Sequence, residues 1–289
     1  MTSHPPPAAV RAVVQAALAE DIGPLGDLTS ALLPDDAWGH GALVPRTDGV
    51  LAGRLAASET FAAVDASVEL QWRADDGDEI QAGVPVGHVR GPLASMLTAE
   101  RTVLNLLCHL SGIATLTRRY VGAAGGRSAI RDTRKTTPGL RALEKAAVRA
   151  GGGLNHRGSL SDGILLKDNH LAGLSIEEAV ERARRRWPGR SVQVECDSIG
   201  QVKEAVAAGA DLLLLDNMSP DDVAACRAEV AGAGGDERRP LIEVSGGVTL
   251  ETVAAYAAAG VDLISVGALT HSAPALDIGF DFPARGVGA

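Results

Sequence analysis

The sequence predicts an α/β protein whose longer part is a parallel sheet wrapped into an open or shortened barrel. Three observations carry this. From Ala129 to Val266, six short apolar runs each end in polar residues and each lead into a helical stretch, the pattern of repeated βα units. The 289 residues correspond to two domains of about 150 residues or one large α/β barrel. Apolar residues make up 46% and charged residues 22%, enough for a large core and too apolar for a disordered chain. Aromatics are only 3%, so that core rests on Ala, Val, Leu and Ile.

Pro5-Pro6-Pro7 precedes a helix over 8–20, with apolar spacing at Val10, Val13, Val14 and Leu18. Residues 21–48 are rich in Gly, Pro and Asp and read as loop with short extended pieces. A helix follows over 51–64. Val68–Trp72 and Pro85–Val89 alternate and read as strands of a small sheet. Residues 97–120 read as a long helical stretch interrupted at Ser111-Gly112. The six barrel strands are predicted at 129–131, 164–167, 192–195, 212–216, 241–244 and 263–266, with helices over 140–150, 176–187, 199–208, 221–230 and 250–259. Gly209 and Gly260 sit just past helix ends, where a left-handed cap is needed. Six repeats in about 140 residues fit an open barrel better than an eightfold one. A doubly wound sheet has the same periodicity and stays open as the alternative.

A net charge of −9 argues against a nucleic-acid partner. No apolar run approaches the roughly 20 residues of a membrane span, and the start lacks the basic-then-apolar order of a secretory signal. Cys108, Cys196 and Cys226 are far apart, giving neither a disulfide framework nor a zinc site. The expectation is a soluble cytoplasmic protein.

Ligands bind where barrel strands end. Those ends carry Asp132-Thr133-Arg134-Lys135, Lys167-Asp168-Asn169-His170, Glu195-Cys196-Asp197, Asp216-Asn217, Ser245-Gly246-Gly247 and Gly267-Ala268. Residues 131–157 hold a net charge of +5 within this acidic chain, which points to a small polyanionic ligand. Arg141, Lys145 and Arg149, at i, i+4 and i+8, are expected on a solvated helix face. Arg134, Lys135 and Arg157 are expected to meet the ligand, with His156 beside them. The glycine ends suit a phosphate approaching bare backbone amides, with Thr249 capping a helix that begins near Leu250. Glu195 and Asp216 end neighbouring strands; they suit Mg²⁺, ribose hydroxyls, or a salt bridge to Lys167 or Lys135. Asn169 and His170 read as caps of a strand end.

These segments resemble quinolinate phosphoribosyltransferases, also called carboxylating nicotinate-nucleotide pyrophosphorylases. The matching stretches are Leu97–Asn105 (LTAERTVLN), Leu110–Thr115 (LSGIAT), Arg131–Thr136 (RDTRKT), Gly151–Arg157 (GGGLNHR), Leu166–His170 (LKDNH), Leu215–Asn217 (LDN), Glu243–Gly247 (EVSGG) and Ser265–His271 (SVGALTH). They occur in family order from about residue 10 to the end of the chain. One position departs: the family usually has Gly two places after the Arg of Asn-His-Arg, where this chain has Ser159 after Gly158.

The resemblance implies the type II phosphoribosyltransferase architecture: an N-terminal α/β sandwich over 1–112, an incomplete α/β barrel over 113–270, and a segment over 271–289 returning to the N-terminal domain. It implies a homodimer with shared active sites, a hexamer being left open, in which one N-terminal domain covers the partner's barrel mouth. It implies a pentosyltransferase of NAD biosynthesis that uses Mg²⁺. The reaction converts quinolinate and phosphoribosyl pyrophosphate into nicotinate mononucleotide, pyrophosphate and CO₂. Carried over by motif, Arg134, His156 and Arg157 hold the dicarboxylate, joined by Arg101 across the dimer. Lys135 and Lys167 act near quinolinate and pyrophosphate. Glu195 and Asp216 hold ribose hydroxyls and Mg²⁺, directly or through water. Ser245, Gly246, Gly247, Gly267 and Ala268 take the 5′-phosphate, with His271 close by. Lys135, Lys167, Glu195 and Asp216 are the catalytic set.

Three competitors are weighed against this. A pyrophosphorylase-like protein of the same fold, associated with molybdate transport genes, is disfavoured by the dicarboxylate cations. A Schiff-base aldolase using Lys167 has no need of a second cation cluster. A non-catalytic phosphate-ligand binder would release no products.

Overall fold

The computed structural model describes residues 4–232 and 239–282. In chain order it contains α1 (Pro7–Ile22), β1 (Trp38–Pro45), β2 (Gly49–Val50), α2 (Arg54–Val64), β3 (Glu69–Trp72), β4 (Glu79–Ile80), β5 (Gly87–Pro92) and α3 (Leu93–Ala124). There follow β6 (Ala129–Arg131), α4 (Arg141–Ala150), β7 (Ile164–Leu166), α5 (Ile176–Arg186), β8 (Val192–Cys196), α6 (Ile199–Ala207), β9 (Leu212–Asp216) and α7 (Pro220–Gly232). The chain closes with β10 (Leu241–Ser245), α8 (Val253–Ala258), β11 (Leu263–Ser265), α9 (Ala268–His271) and β12 (Ile278–Asp281). None of these helices is long and apolar enough to cross a membrane.

The chain divides into two compact units. One comprises 1–118, 136–152 and 269–289, the other 119–135 and 153–268. The first is built on a four-stranded antiparallel sheet in the order β12-β1-β5-β3. Leu43, Leu51, Phe61, Met96, Val103, Leu107 and Phe280 form its core. Three expectations change here. The Gly- and Pro-rich stretch before residue 48 contains β1, an inner strand of eight residues. Its glycine at 41 leaves room for the Phe280 ring, which a Cβ would overlap. The helix α3 runs unbroken through Ser111-Gly112. Ser111 Oγ bonds both the N–H and the carbonyl of Ala52, at 3.1 Å each, and a Cβ at Gly112 would overlap the Pro274 carbonyl oxygen. The small pair is therefore a close-packing point. Lastly, α4 groups with this unit and Lys145 is buried rather than solvated. Its neighbour Glu144, fully buried, accepts from Thr137 N at 3.2 Å and contacts His109 Nε2 at 2.9 Å.

The second unit is a six-stranded parallel sheet in the order β6-β11-β10-β9-β8-β7. From β7 to β11 neighbours follow the chain, and the first strand, β6, lies beside the last. A doubly wound sheet would reverse direction at an internal strand; this order is that of a barrel opened between β6 and β7. One sheet face is apolar, with Ile130, Val192, Val194, Leu213, Leu215, Ile242, Val244 and Ile264 buried. The helices cap as their sequences direct. Ser175 and Glu178 form a reciprocal capping box on α5, and Gly209 and Gly260 adopt φ of 75° and 84°.

Candidate active site

The other face of the parallel sheet is polar. Strand alternation and register put Gln193 and Glu195, Leu214 and Asp216, Glu243 and Ser245, Ser265, and Arg131 on one side. Glu243 is fully buried there. Its carboxylate accepts from Arg131 Nη1 at 3.0 Å, from Gln193 Nε2 at 2.7 Å, and from the Ser265 hydroxyl. His156 Nε2 faces it at 3.5 Å. Every oxygen of this buried charge is thereby satisfied, the condition under which such a group is tolerated.

The segment carrying His156 and Arg157 is tied to the end of β6. Leu154 N donates to Ile130 O at 2.8 Å and Asp132 N to Leu154 O at 3.2 Å. The buried Asp132 carboxylate accepts from His156 N at 2.8 Å and from Asn155 Nδ2 at 2.6 Å. His156 Nδ1 accepts from Arg157 N at 2.7 Å, and Arg157 Nη1 donates to Gly163 O at 2.9 Å. The Arg157 guanidinium is held below its ordinary range, first by burial and then by the neighbouring Arg134, while Glu195 opposes both.

Lys167, just beyond β7, meets Glu195 of β8 at 2.5 Å, the lysine side chain 42% and the glutamate 16% exposed. The salt bridge considered for Glu195 is thus formed. His170 Nδ1 accepts from Lys167 N at 3.1 Å and caps the strand end as expected. Asp216, ending β9, accepts from Asn217 Nδ2 at 2.8 Å. Asn217 is the one described non-glycine residue with positive φ, 55°, and donates N–H to Ser245 O at 2.9 Å. A Cβ at Gly246 would overlap Asn217 Oδ1; together with φ of 93°, this makes glycine obligatory there. Gly247 is also left-handed, at φ 62°. The helix after this loop starts later than expected. Thr252, not Thr249, is the residue before α8, and its hydroxyl accepts from Thr249 N at 2.9 Å.

The second unit therefore carries Arg134, Lys135, His156, Arg157, Lys167, Glu195, Asp216, Ser245, Gly246, Gly247, Gly267 and Ala268 at or beyond the carboxyl ends of its strands. Arg101 and His271 belong to the first unit. Arg101 is exposed on α3; His271 ends α9, with Nδ1 at 2.6 Å from Ser272 Oγ. Among the described residues no three His, Cys, Asp or Glu side chains gather as a metal cage. Cys196, buried in β8, has its thiol pushed up to about 12 by burial and, after that, by the Cys226 thiol and then nearby carboxylates, which makes it inert packing.

Sequence reasoning placed Asp132, Asn155, Glu243 and Ser265 within its motifs but did not foresee that, with Gln193, they form buried polar networks. Their only signal was a polar residue at every second place in runs otherwise apolar: Gln193 in Val-Gln-Val and Glu243 in Leu-Ile-Glu-Val.

Comparison with known proteins shows the family. The family model for the N-terminal domain of quinolinate phosphoribosyl transferase matches residues 27–111, and that for the C-terminal domain matches 113–281. The chain belongs to the quinolinate phosphoribosyltransferase family. The Mycobacterium leprae protein named nicotinate-nucleotide pyrophosphorylase (carboxylating) is 45% identical over 282 residues, 94% of this chain and 97% of that one. The Bacillus subtilis protein named probable nicotinate-nucleotide pyrophosphorylase (carboxylating) is 44% identical, covering 91% of this chain and 89% of that one. Among solved structures of this family, the nicotinate-nucleotide pyrophosphorylase of Francisella tularensis superposes with a TM-score of 0.90 at 35% identity, covering 96% and 98%.

Proposed function

We propose that the chain transfers phosphoribosyl from phosphoribosyl pyrophosphate to quinolinate with decarboxylation, giving nicotinate mononucleotide, pyrophosphate and CO₂. Family membership supports the reaction. The observation that carries the site is the Lys167–Glu195 ion pair at 2.5 Å at the strand ends, with the segment of His156 and Arg157 anchored through Asp132 at the end of β6.

A pyridine-2,3-dicarboxylate brings two negative charges, and forked guanidinium donors match both carboxylates. Arg134 and Arg157, in the frame that includes His156, bind and orient the diacid; Arg101 of the partner subunit completes the pocket in a homodimer. The pyridine nitrogen attacks C1 of the ribose as the C1–O bond to pyrophosphate breaks. Lys167 and Lys135 offset the charge that grows on the leaving group. Glu195 then bonds ribose hydroxyls, and Asp216 shares that task. The 5′-phosphate lies against Ser245, Gly246, Gly247, Gly267 and Ala268, where the glycines' missing Cβ atoms let it reach the backbone. With nitrogen now cationic, the electron pair left by CO₂ loss is stabilised in the ring and takes up a proton. No covalent enzyme intermediate is needed; positioning and electrostatics suffice.

The donor set fits Mg²⁺. Glu195 and Asp216 offer hard oxygens from one sheet face and would be the residues to hold the ion. When bound, it would supply positive charge to offset that of the pyrophosphate. The site of action is the cytoplasm.

Incubating the protein with phosphoribosyl pyrophosphate, Mg²⁺ and either quinolinate or nicotinate tests this reading. Release of pyrophosphate and CO₂ with quinolinate alone is expected. Equal consumption of nicotinate would overturn the dicarboxylate assignment.

A further inference from the structure

The His156 imidazole has Nδ1 bonded within the fold, and its Nε2 faces the buried Glu243 carboxylate at 3.5 Å. A backbone N–H is always a donor, so Nδ1, which receives Arg157 N at 2.7 Å, carries no proton. The ring's proton therefore sits on Nε2, which faces Glu243 Oε1. We infer that Glu243 is a positioning residue that holds His156 as the neutral Nε2–H tautomer. His156 then acts as a strut that aims Arg157, and the positive charge meeting the substrate comes from arginine and lysine alone. This deepens the reading above and rests on its placement of Arg157 at the diacid.

The network explains why a carboxylate is required at 243. One oxygen, Oε2, accepts from Arg131 and Gln193; the other, Oε1, accepts from Ser265 and faces His156. All four neighbours present hydrogens. An acceptor-only group with two oxygens suits them, and ionised glutamate is such a group. A glutamine would keep its oxygen toward Arg131 and Gln193 and turn its NH₂ toward His156. Nε2 would then become the acceptor and Nδ1 would take the proton. Two N–H groups, those of Nδ1 and Arg157, would face each other at hydrogen-bonding distance. The turn at 156–157, clamped on its other side by Asp132, would have to shift, moving Arg157.

The test uses the full-length enzyme labelled with ¹⁵N-histidine. The His156 resonances are assigned through His156→Gln or, by elimination, through substitution of the six other histidines. Near neutral pH the expected pattern is a pyridine-type Nδ1 and a pyrrole-type Nε2, unchanged when quinolinate is added. This measurement on the unaltered chain does not depend on any variant at 243 folding. In Glu243→Gln the tautomer is expected to invert, and the KM for quinolinate to rise about tenfold, the scale for losing a partner behind a binding group. The KM for phosphoribosyl pyrophosphate stays constant. An imidazolium or a protonated Nδ1 in the unaltered enzyme would overturn the inference while leaving the site reading intact. An unaffected quinolinate KM in Arg157→Ala would instead overturn the site reading on which it rests.

Discussion

In the first unit, Leu43, Phe61, Met96, Leu107 and Phe280 pack hydrocarbon behind an antiparallel sheet. In the second, one face of the parallel sheet does the same, but the opposite face buries Glu243, Gln193 and Ser265 and holds Arg131 against them. A hydrocarbon core is set by volume and tolerates many near-equivalent fillings. A buried ionic network contributes little net stability, yet each of its bonds has a direction, and those directions aim groups at the strand ends. The first unit should therefore respond to core substitution through stability, and the second to polar substitution through chemistry.

The largest effect is expected at Lys167. Lys167→Ala should lower kcat by about 10²- to 10³-fold, the scale of removing one electrostatic stabiliser of a developing charge, read as pyrophosphate release. Arg101→Ala should be comparably inactive alone. Mixed dimers of the two variants should regain activity, because one of their two sites is then intact. Mixtures no more active than their parents would show that Arg101 does not act across an interface.

Next come two substitutions of similar size and opposite kind. Phe61→Ala should cost about 3–5 kcal/mol of folding stability in urea unfolding and leave quinolinate affinity of the folded protein unchanged. Arg134→Ala should weaken quinolinate binding by about 2–5 kcal/mol in calorimetric titration, with little loss of stability. An Arg134 variant that melts early yet binds normally would erase the contrast between the units.

The smallest effect is at Asp27. The Ser30 hydroxyl, followed by the Ser30 N–H, holds its carboxyl down at about 2, against an ordinary 3.8. Because the folded value is depressed, its stabilisation is complete above the ordinary value and lost as pH falls through the folded one. The stability difference between the unaltered protein and Asp27→Ala should be flat from neutral pH down to about 4, then shrink toward pH 2. A difference that grows on acidification would refute this.

All six barrel strands were legible because each apolar run ends in polar residues at the place where the site begins. Glycines misled at three positions. Gly39 and Gly41 made β1 resemble loop, and Gly112 resembled a helix break. In the structure Gly41 and Gly112 admit the Phe280 ring and the Pro274 carbonyl, contacts distant in sequence that local periodicity does not record. Lys145 was read as solvated because i, i+4 spacing identifies a shared face without saying what covers it. The outward parts of the site, Arg134, Lys135, Lys167 and Asp216, stood out as charges at strand ends. Glu243 did not, since alternation in an apolar run marks a polar residue without distinguishing a buried hub from a charge on an exposed face.

The strand β12, residues 278–281, hydrogen-bonds to β1 near the other end of the chain. During synthesis on the ribosome, β1 therefore leaves the exit tunnel long before its outer neighbour exists. Until then the nascent sheet displays an unpaired margin, a template for wrong associations. The first unit, although most of it emerges first, is the one whose folding must wait for translation to reach its last stretch.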